Sequence, residues 1–214
     1  DPARVGNHCL IPMSNQAGQS NLRQRLEVAG IKVEADNPTL GRILELIKEH
    51  EAEGYSYDTA QASFELLARR TLGICPEFFE VKRYRVSVER RKNKYNKMVS
   101  LSEAVVVVKV NGQKKLSASE SLDEKGADRG PVNALAKALS KDLGPYQGMI
   151  DDMRLVDFKV RITQGGTEAV TRVTIDSEDA KGRRWSTVGV SANIVDASFE
   201  ALLDAINWKL IRDT

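Results

Sequence analysis

The chain is poor in the residues that most often carry chemistry. Its 214 residues include two histidines, His8 and His50, and two cysteines, Cys9 and Cys75. Neither pair has the spacing of a metal site, and no CxxC pair is present, so no metal ligand set is assigned. Lone, distant cysteines suit a reducing compartment better than a disulfide framework, which gives a cytoplasmic expectation. No apolar run reaches 18 residues and no signal-like start is seen, which argues against a membrane span. The net charge is only +2. No strong field therefore favours nucleic acid or an anionic membrane. GxSxG, P-loop and GxGxxG motifs are all absent. No catalytic residue and no cofactor are assigned, and these absences point to a binding or regulatory module. The chain opens at Asp1, in mid-pattern, as expected for a piece of a longer polypeptide.

What is present is organised around Trp185–Leu210. Val188 and Val190 alternate with small or polar neighbours, the period-2 signature of a strand. Asn193 stands where a helix N-cap is wanted, with Asp196 in the first turn near the positive end of the helix dipole. Val195, Phe199, Leu202, Ile206 and Leu210 then recur at helical spacing, widened by Leu203 and Trp208. This predicts a helix lying on a sheet.

The pattern occurs twice. Pro131–Leu143 aligns without gaps with Ile194–Ile206, pairing Leu139 with Leu202 and Leu143 with Ile206. Upstream, Ser102–Val110 matches Thr167–Ile175, and Tyr84–Val88 matches Phe158–Ile162. The offset is roughly 63–74 residues. Two copies make a pseudo-symmetric pair of βββα units, since a solenoid needs three or more. The expected fold class is α+β, with a helical linker at 1–76 and a regulatory domain at 77–214, divided into units 77–145 and 146–214.

In the linker, Ser20 is expected to cap a helix through Leu22, Leu26 and Val28, ended by Gly30. Asn37-Pro38-Thr39 starts a second helix with Leu40, Ile43, Leu44 and Ile47 inward. Tyr57, Ala60, Phe64, Leu67 and Ala68 mark a third. Three short helices read as an adaptor without an obvious core of its own, bounded near Pro76. Beyond it, Asn111-Gly112 is a hairpin signal, and Gly165-Gly166 and Lys181-Gly182 mark two further turns. Arg90–Lys97 reads as a solvated hairpin loop rather than a nucleic-acid patch. Glu103 and Glu168 occupy equivalent repeat positions and read as structural.

The two helix starts are small, backbone-exposing segments, Asp128–Asn133 and Gly189–Ile194. Helix N-termini offer unpaired N–H groups that suit a carboxylate. Val132, Val188, Ile194 and Val195 nearby would suit an aliphatic side chain, so an amino acid is a chemically sensible ligand. The other reading is that the glycines only make tight turns.

Four segments carry a resemblance. Glu53–Arg70 (EGYSYDTAQASFELLARR) is similar to a linker helix, and Gly130–Leu139, Arg154–Ile162 and Thr187–Leu210 to a regulatory domain. Together they resemble the carboxy-terminal part of the 2-isopropylmalate synthase, citramalate synthase and homocitrate synthase family, across essentially the whole chain. The resemblance implies an acyltransferase of branched-chain amino-acid biosynthesis. Its amino-terminal barrel would condense acetyl-CoA with a 2-oxo acid, using a divalent metal outside these residues. It also implies a homodimer that binds the end-product amino acid at its interface, isoleucine first and leucine second. A KHSGR-like motif common in isopropylmalate synthases reads Asn15–Gln19 here, with Gln16 replacing the imidazole, which favours the citramalate branch.

By this resemblance Gly130, Pro131 and Val132, together with Val188, Gly189, Val190, Ser191, Asn193 and Ile194, are the effector segments. Asn133 and Val195 flank them, and Asp157 is the candidate partner for the ammonium group. A valine at position 189 is expected to fill the pocket and leave the dimer intact. Two alternatives remain: a βββα module resembling double-stranded-RNA-binding domains, and a dimerisation domain without a ligand. The apolar and acidic start Asn193–Asp196 disfavours phosphate at that helix.

Overall fold

A computed structural model describes residues 18–122, 130–164 and 169–214. The expectations for His8, Cys9, Gln16, Asp128, Gly165-Gly166 and Glu168 lie outside those residues.

Six strands form two three-stranded antiparallel sheets, each in sequence order. The first sheet is β1 (Glu80–Lys92), β2 (Met98–Val110) and β3 (Gln113–Leu122), followed by helix α4 (Gly130–Leu139). The second is β4 (Arg154–Gln164), β5 (Val170–Glu178) and β6 (Arg184–Ser191), followed by α6 (Ile194–Asp213). A 3-10 turn at Gly144–Tyr146 and the short α5 (Gln147–Ile150) join them. This is the expected α+β fold with two βββα units.

Local chemistry explains the turns. Asn111 and Gly112 have φ of 47° and 81°, the left-handed pair that a two-residue hairpin requires. The basic Arg90–Lys97 segment is the end of β1 and the hairpin turn that follows it at 93–97. Asn93 Oδ1 accepts from the N–H groups of Tyr95 and Lys97 at 2.9 and 3.1 Å.

Alternation in the strands supplies one shared core. Ala104, Val106, Val108 and Val110 of β2 and Val173 and Ile175 of β5 are buried in a single cluster with α4 and α6. The aligned pairs Leu139 with Leu202 and Leu143 with Ile206 all lie in it. Helix α6 carries the expected stripe of Phe199, Leu202, Ile206 and Leu210, but it is also buried on a second side. Ala197, Ala201 and Ala205, spaced by four, are covered. Thr187 Oγ1 donates to the Ala201 carbonyl at 2.8 Å, and the Trp185 indole N–H to that of Ala205 at 3.2 Å. A helix buried on two sides in this way is a core helix, not a surface one.

The three amino-terminal helices are α1 (Gln19–Val28), α2 (Thr39–Glu53) and α3 (Gln61–Thr71). Helix α1 starts before Ser20, with Gly18 at the N-cap. Val28 is exposed and Arg25 is buried instead, because its guanidinium covers the Phe64 ring and donates to the Tyr57 carbonyl. Helix α2 starts as expected: Asn37 Oδ1 accepts from the Thr39 N–H at 2.9 Å, and Gly54, at φ 115°, ends the helix.

Where no obvious core was expected, these helices do share one, built together with the second sheet. Leu22, Leu26, Leu40, Ile43, Ile47 and Phe64 cluster, and Val188 of β6 completes the cluster. The helices thus cover part of the second sheet's outer face, the side away from α6. Ser63 Oγ accepts from the Val188 N–H at 3.0 Å, and Glu200 Oε2 from that of Val190 at 3.0 Å. Side chains thereby satisfy the open edge of β6, which would otherwise be a template for another strand. Glu200 is tied in turn to α2's end by the Tyr55 hydroxyl at 2.6 Å.

At the far end of α6, Lys209 is only 1% exposed. It is surrounded by the carboxylates of Asp152, Asp179 and Asp213 at 3.0, 3.1 and 2.6 Å. Among the described residues no helix is long and apolar enough to cross a membrane.

Candidate effector site at the helix starts

Asn193 forms the cap that its position in the sequence predicts. Its backbone is extended and its Oδ1 accepts from the Val195 N–H at 2.9 Å. Ser191 Oγ accepts from the Asn193 N–H at 3.1 Å, and the Asn193 carbonyl from the Ala197 N–H at 3.0 Å. The α6 start therefore meets much of its own donor demand before any ligand arrives.

The first unit reaches across to this end. Tyr84 of β1 packs against Phe199 with tilted rings whose centroids are 4.1 Å apart, and its hydroxyl donates to Asp196. Partial burial, and then the Asp196 carboxylate, hold the phenol well above its ordinary pKa. Sequence reasoning missed this contact. The available signal was Tyr84 itself, an aromatic matched with Phe158 in the repeat.

The predicted site residues do not all meet. Gly130 begins α4 at φ 82°, and Pro131, Val132 and Asn133 behind it are half-buried. Val132 and Val195 rest on the same core, while Ile194 is 43% exposed at the mouth of α6. Val188 is 1% exposed, and its side chain belongs to the helical cluster on the opposite face of the sheet. Val190 packs partly against that same cluster.

Asp157 lies on that opposite face too. It is exposed, paired with Lys159 at 2.7 Å, and accepts from the Phe158 N–H at 2.8 Å. Alternation explains both placements: Phe158 and Ile175 are cross-strand partners on the core side, so odd-numbered β4 residues such as Asp157 face outward, and Thr187 and Gly189 of β6 face α6, so Val188 between them faces outward.

Gly189 does face α6, but no space is left beside it. A Cβ there would sit 2.0 Å from the Ala197 carbonyl oxygen. The expectation that Gly189→Val simply fills a pocket does not fit this packing, because a side chain would drive strand and helix apart.

The fold defines the class first: a pseudo-symmetric pair of βββα units carrying a helical extension, with the start of α6 capped by Asn193. Residues 58–210 match the LeuA allosteric (dimerisation) domain, and the chain belongs to that family. Among its relatives, the (R)-citramalate synthase of Geobacter sulfurreducens is 43% identical over 98% of this chain and 38% of its own length. That of Aquifex aeolicus is 39% identical over 100% of this chain and 39% of its own. An Archaeoglobus fulgidus protein named as a probable 2-isopropylmalate synthase is 26% identical over 98% and 37%. The chain thus spans about two fifths of the length of the curated relatives it matches.

Proposed function

We propose that the chain is the regulatory and dimerisation part of a citramalate synthase-like acyltransferase, and that as a homodimer it binds the end-product amino acid. The observation that carries this reading is the end-to-end similarity to proteins named (R)-citramalate synthase, at 43% identity in one case. Citramalate leads to isoleucine, which makes isoleucine the first candidate and leucine the second. The parent's condensation of acetyl-CoA with pyruvate, its divalent metal and its cytoplasmic location belong to the same proposal.

The effector is placed at the helix starts. Gly130–Val132 or Ser191–Ile194 is the backbone segment proposed to receive the carboxylate. Val132, Ile194 and Val195 supply the apolar wall, with Ile194 already open to solvent. Val188, Gly189 and Asp157 leave the set, since packing and ion pairing already occupy them. A pocket of this kind separates isoleucine from leucine by only about 1–3 kcal/mol. Feedback needs a comparable coupling, about 1–3 kcal/mol. We place its route through the linker at 1–76, which is tied to α6 by Tyr55 with Glu200 and to β6 by Ser63 with Val188.

Calorimetry of the chain against isoleucine, leucine and valine tests this reading. Saturable binding of isoleucine, weakened by Ile194→Asp, is the expected result. Absence of binding to all three would leave a dimerisation domain without a ligand. A salt-dependent shift with duplex RNA would instead support the nucleic-acid alternative. The chain alone should release no free thiol from acetyl-CoA and pyruvate.

A further inference from the structure

The second sheet's outer face is only partly covered by the helices. Beside β4 it leaves a cavity of about 590 Å³, walled by the loop between α2 and α3. That is the size range of small-molecule sites. Four cations line it: Lys159, Arg161, Arg172 and Arg184.

Two of them have ordinary explanations. Lys159 pairs with Asp157 and Asp176, and Arg184 with Glu178. Asp58, which also lines the cavity, is engaged by Arg25, and Asp176 by the Ser186 hydroxyl as well.

Arg161 and Arg172 are different. They stand directly opposite each other in the β4–β5 register. Like charges at such a position are destabilising. Arg172 donates to the carbonyls of Gly54 and Tyr55, which accounts for it as a cation at the end of α2. That contact does not account for a second arginine across from it, nor does it supply a negative charge. Among the described residues no ion pair joins either guanidinium to a carboxylate. Partial burial, and next the Arg161 charge, depress the Arg172 pKa.

We infer that this cavity is a binding site for a small phosphate-bearing anion, held between Arg161 and Arg172. Guanidinium forks match phosphate oxygens in bidentate fashion, and two forks meeting across a ladder suit one group that accepts from both. The hydroxyls of Ser56, Thr59 and Thr174 on the cavity wall add donors of the right kind. The site lies across the sheet from the helix starts and does not rest on the amino-acid reading.

The test is calorimetric titration of the full chain with inorganic phosphate and with pyrophosphate, at constant ionic strength set with sodium chloride. Parent and Arg83→Gln, which removes an exposed cation from the first sheet's outer face, should bind pyrophosphate alike. Arg161→Gln changes an exposed side chain and should keep the fold while weakening binding roughly tenfold or more. Arg172→Gln should do the same, and the exposed site at Arg161 keeps the test decisive if that variant fails to fold. Isoleucine binding should be unchanged in Arg161→Gln. Three outcomes would overturn the inference: no saturable binding of either anion, equal binding by parent and Arg161→Gln, or an equal loss in Arg83→Gln, which would mean diffuse attraction to net charge.

Discussion

The two βββα units share a plan and part company in what surrounds it. The first sheet's outer face is open, with Leu116 and Leu122 exposed beside charged neighbours. The second sheet's outer face receives Val188 and Val190 into the helical cluster. Helix α4 runs 10 residues and α6 runs 20. The extra length of α6 is held by partners that the first unit does not have. Glu65 of α3 accepts from the Trp208 indole at 2.8 Å and from Arg212 at 2.7 Å, and the Lys209 ion cluster closes the end. Duplication specifies a helix on a sheet; the unduplicated helices decide how long the helix is and how many of its sides are buried.

The sharpest way to break this comparison is Gly189→Ala. The added methyl meets backbone rather than a flexible side chain. We expect a loss of roughly 3 kcal/mol or more. Gly148→Ala, in the open connection between the units, should change stability little, since nothing lies within 4 Å of its added Cβ. Equal denaturant midpoints for the two variants would mean that β6 and α6 are not in close contact.

Next come Leu139→Ala and Leu202→Ala, the matched core leucines. Each should cost roughly 2–5 kcal/mol by opening a cavity. Because both side chains lie in one cluster, both variants should lower a single cooperative transition. A split transition for either would show two independently folding units.

Acid probes a feature confined to the second unit. Burial alone would raise the Asp179 pKa, but hydrogen bonds from Arg183 and Lys209 outweigh it and hold the group at about 2. A carboxylate depressed in the folded state contributes stability that is present above its unfolded pKa, about 4, and lost as pH falls toward 2. Urea midpoints of the parent should therefore fall between pH 4 and pH 2.5 more steeply than those of Asp179→Asn. Parallel curves would remove Asp179 from the explanation.

The smallest effect expected is that of Asn193→Ala, about 1 kcal/mol for a lost cap. It should rank well below Leu202→Ala in the same denaturation series. The reverse order would mean that the α6 start matters more than its buried stripe.

Much of this was legible from the sequence. Spacing gave Phe199, Leu202, Ile206 and Leu210, and composition gave the Asn193 cap and the Asn111-Gly112 turn. These features depend on neighbours within a turn or two, where backbone geometry leaves few choices. The candidate site was legible only in part. Ser191, Asn193 and Ile194 do meet at the α6 start, but Val188 and Asp157 lie on the opposite face of the sheet. A period of two says which residues share a face and not what that face meets.

The sequence by itself determined the repeat, its strand and helix order, and the core stripes of α2 and α6. These follow from hydrophobic period and turn chemistry, which are local. Only the tertiary structure decided that Gly189 is a contact point rather than a pocket, and that Tyr84 closes on Asp196 from 112 positions away. It alone brought Arg161 opposite Arg172 beside an open cavity. Each of these depends on which elements approach one another, and that is set by the summed burial of the whole chain rather than by any short stretch of it.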